Sequence, residues 1–250
     1  MYPAKHVVII GATSAIAEHC ARLWAAGQPV SMTLVGRNAS RLQAIAADLK
    51  VRTPTSQIDI LTVDFASPAA IHDLAENLFA QTAVDLVLIA HGTLPIQQQC
   101  QDDLQEAENA LYINGISPAL FAEAFAGRMQ AQGFGQIGLI GSVAGDRGRK
   151  SNYTYGAAKG LVTRFAQGLQ HRLAGSGVQV SLIKPGPTDT PMTSEFKAKG
   201  TKMASVEEVA AGIVNGMRAG RDVIYVPGKW KIIMMVIRHL PAFIFNRMDI

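Results

Sequence analysis

The stretch HVVIIGATSAIAEHCARLW, from His6 to Trp24, sets the expectation for the fold. A short apolar run, His6–Ile10, leads into a turn of small residues, Gly11-Ala-Thr-Ser-Ala-Ile-Ala17, and then into a helical pattern. Strand, tight turn and helix in that order open a βαβ unit. Small residues in such a turn let the backbone approach a pyrophosphate, whose charge a helix N-terminus favours. Gly11 is the one glycine of the turn, with Ala15 and Ala17 at the later small positions. An ordinary tight strand–helix turn would read the same way.

Further along the chain, short β-branched runs alternate with longer helical patterns. Strands are expected at His6–Ile10, Met32–Val35, Ile58–Val63, Val84–Ala90, Gln136–Ile140, Val178–Ile183 and Val223–Val226. Helices are expected at about 15–26, 39–50, 68–80, 101–130, 153–174 and 205–218. Each helical segment is long enough for a crossover, so the strands should be parallel and covered on both faces. The fold class is α/β: a doubly wound parallel sheet of the Rossmann type, in a single domain. Residues 1–228 form the domain proper and 229–250 a C-terminal apolar and basic helical extension of it.

Composition narrows the function classes. At 250 residues, 48% hydrophobic and 17% charged, the chain suits one globular unit and excludes a disordered one. Cys20 and Cys100 match neither a disulfide framework nor a metal cluster, so a cytoplasmic setting and no metal are expected. The opening MYPAKHVVII lacks the basic region, long apolar core and cleavage site of a signal peptide. Nine Lys and Arg against four Asp and Glu fall from Lys197 onward, while residues 1–196 hold fourteen basic and fifteen acidic side chains. Positive charge confined to one end, without interleaved stacking aromatics, does not describe a nucleic-acid groove.

The residues that carry chemistry lie at strand ends. The second strand closes in Leu34-Val35-Gly36-Arg37-Asn38, with no acidic side chain to take a ribose 2′-hydroxyl. Arg37 could instead pair with the 2′-phosphate of NADP, or be a solvated surface arginine. Asp64, before Phe65, could accept a hydrogen bond from an adenine amine or cap the helix that begins near Pro68. The sharpest pattern is Tyr155-Gly-Ala-Ala-Lys159, with Ser142 thirteen residues upstream and Asn114 before it. Positions four apart share a helix face, so phenol and ammonium converge on one pocket. Reducing a ketone needs a proton at oxygen, and a phenol of pKa about 10 exchanges it poorly near neutrality unless a cation favours the phenolate. Tyr153 has Ala157 four residues on and so lacks such a partner; His91 and His171 stand alone and read as core or surface residues.

Taken in order, the small-residue turn, Asn114, Ser142, Tyr155, Lys159 and Pro185-Gly-Pro-Thr-Asp-Thr190 resemble the short-chain dehydrogenase/reductase family over about residues 5–226. The resemblance implies that Tyr155 is the general acid/base and that Lys159 tunes it while binding nicotinamide ribose. Ser142 would orient the carbonyl, and Asn114 would help hold a water-linked proton relay. NADP, or NAD, would rest on Gly11, Thr13, Ser14, Ala15, Ile16, Arg37, Asp64, Phe65, Gly92, Tyr155, Lys159, Pro185, Gly186, Thr188 and Thr190. Homo-oligomers built through the long helices are implied as well. After the fourth strand the family has Asn-Asn-Ala-Gly, where this chain has Ile89-Ala-His-Gly92 and keeps only Gly92.

Two stretches narrow the resemblance: Ser142-Val-Ala-Gly-Asp-Arg-Gly-Arg-Lys-Ser-Asn-Tyr-Thr-Tyr-Gly156 and Met234-Met-Val-Ile-Arg-His-Leu-Pro241. Both are similar to the branch of the family that reduces a 2-keto sugar carried on a polyprenyl phosphate. The other readings are a reductase of a soluble carbonyl, such as a 3-oxoacyl thioester, and a non-enzymatic dinucleotide sensor. The tail KWKIIMMVIRHLPAFIFNRMDI is too short to span a bilayer. It is either a packed helix pair or an anchor at the inner face of the membrane.

Overall fold

The computed structural model describes residues 6–27, 29–194 and 202–248; the last two residues of the tail lie outside them. Strand β1 spans His6–Ile10, β2 Ser31–Gly36, β3 Gln57–Thr62 and β4 Leu86–Ile89, followed by β5 Gly135–Ile140, β6 Val178–Pro185 and β7 Val223–Val226. Helix α1 covers Ala15–Gly27, α2 Ala39–Arg52, α3 Pro68–Gln81, α4 Gln97–Asp102, α5 Leu104–Leu111 and α6 Ser117–Gln132. Then come α7 at Tyr153–Arg172, α8 at Val206–Arg218, α9 at Lys229–His239 and α10 at Ala242–Phe245.

All seven strands run parallel in the order β3-β2-β1-β4-β5-β6-β7. The alternation of β1 shows how both faces are filled. Val7 and Ile9 join a core with residues of α1, α2 and α8, while Val8 and Ile10 join a second core with α3, α6 and α7. Every residue of β1 is buried, as a strand covered on both sides must be. The strand order reverses between β1 and β4, and at such a switch point the strands' carboxyl ends open a crevice.

The helix expected over 101–130 is not continuous. Asp103 adopts extended backbone (φ −134°, ψ 113°), ends α4 and caps α5 by accepting a hydrogen bond from Gln105 N at 2.8 Å. Further on, Pro118 has no N–H to give the Asn114 carbonyl four residues back. There the chain widens into a π turn over Tyr112–Ile116 before α6 begins. Such single turns concentrate at functional sites, and this one carries Asn114.

The tail packs on the domain through its inner face. Met234 of α9 is fully buried, and the Trp230 indole lies so close over Gly186 that a Cβ there would strike its Nε1. Arg147 donates from Nη1 to the carbonyls of Ile237 and Leu240, both at 2.6 Å, and its guanidinium lies 3.8 Å from the Phe245 ring centre. The outer face is apolar and uncovered, with Ile232 65% and Phe243 69% exposed. Met234→Ala should therefore cost about 2–5 kcal/mol in urea unfolding, while Ile232→Ala should stay within about 0.5 kcal/mol. Equal costs would mean that α9 does not pack through Met234.

Candidate active site

Where β1, β4, β5 and β6 end, the crevice deepens into a cavity of about 300 Å³. Its walls include Ser14, Ile16, Gly92, Asn114, Ser142, Tyr155, Lys159, Pro185, Gly186, Thr188 and Thr190. All four residues expected to catalyse are thus gathered on one cavity. Three local devices aim the Tyr155–Lys159 face of α7 there. The buried Gln97 amide receives Thr154 N at 2.9 Å on Oε1 and donates from Nε2 to Thr154 Oγ1 at 3.0 Å, fastening the first turn of α7 to α4. Asp146 forms a buried ion pair with Lys184 and accepts from the Tyr225 hydroxyl at 2.8 Å, tying the turn after Ser142 to β6 and β7. The Gly145 backbone lies against α7, so closely that a Cβ would come within 2.6 Å of Lys159.

Lys159 is buried, and its ammonium donates to the Ile140 carbonyl at 3.0 Å. Burial lowers its pKa to about 8. Its Nζ sits 5.8 Å from the Tyr155 ring centre. Burial raises the Tyr155 phenol above its ordinary value, and a hydrogen bond with Ser142 opposes that rise. At neutral pH the proton therefore rests on the phenol and the charge on the amine. Ser142 Oγ accepts from Ala144 N at 3.1 Å. Asn114 is fully buried and committed: Oδ1 accepts from Thr93 N at 2.9 Å, while Nδ2 donates to Ala110 O and Thr93 Oγ1. Its side chain holds the loop after β4 in place.

The expected cofactor residues divide. Gly11 takes φ +79°, and a Cβ on it would strike the His91 backbone at 2.6 Å, so glycine is required there. The N–H groups of Ala15, Ile16 and Ala17 precede the first helical bond of α1, Glu18 N to Ser14 O, and so are free for an anion. Ser14 and Ile16 line the cavity directly. Arg37 is exposed on a neighbouring cavity that shares Thr93 with the first. Asp64 is exposed and accepts from Ala66 N at 2.9 Å; the cap of α3 is Ser67. The Phe65 ring packs in the core on His91 and Phe121, leaving only backbone for contact with a ligand. Tyr153 is 46% exposed and outside the cavity. A dinucleotide fits this frame: a glycine turn, open helix amides, and two Lys159 protons beyond the one given to Ile140.

Three residues were not anticipated. Arg41 donates to the Thr13 carbonyl at 3.3 Å, which sets a second guanidinium beside the turn; its place four residues after Arg37 was the available signal. Arg149 lines the cavity between Ser142 and Tyr155. His91 does as well, buried, with Nε2 3.0 Å from Ser117 Oγ and Nδ1 without a partner. Ser117 donates to the Phe65 carbonyl, so it must accept from His91, which fixes the proton on Nε2 and leaves Nδ1 as a bare acceptor. No sequence signal distinguished His91 from an ordinary core histidine.

The geometry is that of a hydride-transfer oxidoreductase, and the comparisons agree. The family model for short chain dehydrogenases matches residues 5–200. The chain belongs to the short-chain dehydrogenase family and is an oxidoreductase of that type. An uncharacterized oxidoreductase of Mycobacterium tuberculosis is 32% identical over 248 residues, 98% of this chain and 97% of the relative. One of Streptomyces coelicolor is 29% identical over 249 residues, 98% and 96% of the two chains. Among solved structures, a short-chain dehydrogenase from Sphingobium yanoikuyae in complex with NADPH superposes with a TM-score of 0.82 at 24% identity, covering 95% of this chain and 96% of that one.

His91 gives the site an acid limit. Burial, with the charges of Lys159 and Arg37 adding to it, lowers its pKa to about 3 from an ordinary 6.5. Between those values the unfolded chain binds a proton that the native protein refuses, so stability is lost as pH falls. The loss is roughly 1.4 kcal/mol per pH unit. His91→Gln should lose less by that slope in urea titrations between pH 6 and 4. Parallel curves for the two proteins would remove His91 from the acid transition.

Proposed function

We propose that the protein reduces a ketone to a secondary alcohol, with Tyr155 giving the proton and NADPH as the preferred cofactor. The observation that carries this reading is the convergence of Ser142, Tyr155 and Lys159 on one cavity at the strands' carboxyl ends. When bound, the nicotinamide supplies hydride to the carbonyl carbon. Ser142 Oγ holds the carbonyl oxygen, and the Tyr155 hydroxyl delivers its proton there. The Lys159 ammonium stabilises the phenolate left behind. A preference for NADP over NAD is supported by Arg37 just after β2, by Arg41 in the first turn of α2 and by the lack of an acidic side chain at the end of β2.

For the substrate we propose a keto sugar on a polyprenyl phosphate. The segments 142–156 and 234–241 resemble decaprenylphosphoryl-2-keto-ribose reductase. The uncovered apolar face of α9 and α10 adds support. Ile232, Met235, Val236 and Phe243 are exposed there beside exposed Lys229, Lys231, Arg238 and Arg247. Such a surface suits the headgroup region of an anionic leaflet, the inner face of the membrane, where the prenyl chain of the substrate would stay. No helix among the described residues is long and apolar enough to cross a membrane. Self-association is supported by exposed Leu104, Leu111, Ile116 and Leu161 along α5 to α7.

The test is NADPH oxidation with a panel of lipid-linked and soluble ketones, run on the wild type and Tyr155→Phe. The wild type should turn over the lipid-linked sugar best. Tyr155→Phe should keep its fold yet lose about 10²–10⁴-fold in turnover. Better turnover of a 3-oxoacyl thioester would move the substrate to the soluble class, and full activity in Tyr155→Phe would end the proton-donor assignment.

A further inference from the structure

The wall of the cavity between Ser142 and Tyr155 holds a group that ketone reduction does not use. Arg149 lines the cavity, and its Nε is buried with no hydrogen-bond partner. Its guanidinium makes one weak contact among the described residues, Nη2 to the Met234 sulfur at 3.5 Å. The nearby Asp146 carboxylate holds Lys184 on one oxygen and Tyr225 on the other, and forms no ion pair with Arg149. No carboxylate pairs with Arg149 among the described residues. Burial holds its guanidinium below the ordinary value, with the Asp146 charge acting the other way.

A guanidinium partly taken from water without an ion-pair partner costs free energy, and stays only where the fold or a ligand compensates. Asn152 adds a second unmet group. Its backbone N–H closes a turn onto the Arg149 carbonyl at 3.1 Å, its Oδ1 is buried with no partner, and the residue lines the same cavity. A half-buried planar donor three residues from a lone acceptor matches an anion with a hydroxyl next to it. Neither Arg149 nor Asn152 is among the contacts expected for the dinucleotide, and Arg149 reaches away from them to α9.

We infer that Arg149 and Asn152 form a substrate subsite for a phosphate ester carried on a hydroxylated ketone. The inference rests on the reductase reading and assigns the residues that hold the anion of its substrate. A lipid phosphodiester and a free sugar phosphate share this chemistry. Arg149 grips the phosphate by its fork, Asn152 accepts from the neighbouring hydroxyl, and the carbonyl is left against Ser142 and Tyr155. The packing of Met234 on Arg149 makes α9 the support for this grip.

Two measurements test it, each on the full chain. In the first, kcat/KM is compared for D-ribulose 5-phosphate and D-ribulose with saturating NADPH. The wild type should favour the phosphorylated ketone tenfold or more. Arg149→Met should lower kcat/KM for it at least tenfold more than for D-ribulose, and Arg149→Lys should restore part of the difference. In the second, methyl phosphate is titrated calorimetrically into the NADP-loaded protein, where the cofactor's own phosphate sites are filled. Binding should be competed by a polyprenyl phosphate sugar in detergent if the natural anion is a lipid phosphodiester, and by ribulose 5-phosphate alone if it is a free ester. Tyr155→Phe should keep methyl phosphate binding while losing reduction, so a failure of the reductase reading leaves this arm intact. The inference is overturned if NADP-loaded wild type binds no methyl phosphate, if Arg149→Met binds it as well as wild type, or if the variant loses both ketones equally.

Discussion

The site depends on keeping one ammonium charged while burying it. Lys159 is held in the cavity by the Ile140 carbonyl, and the surrounding apolar packing brings its pKa to about 8. A lysine left in water would stay charged but would be screened from Tyr155. One buried without a polar partner would lose its proton well below neutrality. The C-terminal end of β5 meets both demands, because a parallel strand leaves its last carbonyl unpaired there, in reach of α7.

Much of the remaining architecture fixes the distance between β5 and α7. The segment between Ser142 and Tyr155 is fastened at its start by Asp146 to β6 and β7, and at its end by Gln97 to α4. In the middle, Arg147 reaches the last carbonyls of α9 and covers the Phe245 ring. Buried charge pairs such as Asp146 with Lys184 add little to stability and, here, fix one geometry. The C-terminal extension therefore backs the site's wall with its inner face, where Trp230 meets Gly186 and Met234 meets Arg149.

The sheet was legible in the sequence because each strand is a local apolar run and each crossover a helical period, so the order of elements needed no long-range information. Tyr155 and Lys159 were legible for the same reason: their four-residue spacing is a local geometric fact. The break at Asp103 and the π turn at Asn114 were not foreseen, although Pro118 was a sign that the helix could not run straight. Arg149, His91 and the contact of Trp230 with Gly186 were invisible for a different reason. Each is defined by what surrounds it from distant parts of the chain, and an arginine in a surface-like loop gives no sign that its Nε will be buried without a partner.

The most direct test of the central claim, that the buried Lys159 charge drives proton delivery by Tyr155, is the pH profile of kcat/KM for ketone reduction in the wild type and in Lys159→Met. Below its pKa of about 8 Lys159 is charged and the phenol keeps its proton, so reduction should be level and then fall as pH rises through about 8. Lys159→Met should be slower throughout and show no break there. A break near 8 that survives in Lys159→Met, or a wild-type profile level to pH 9.5, would contradict the account.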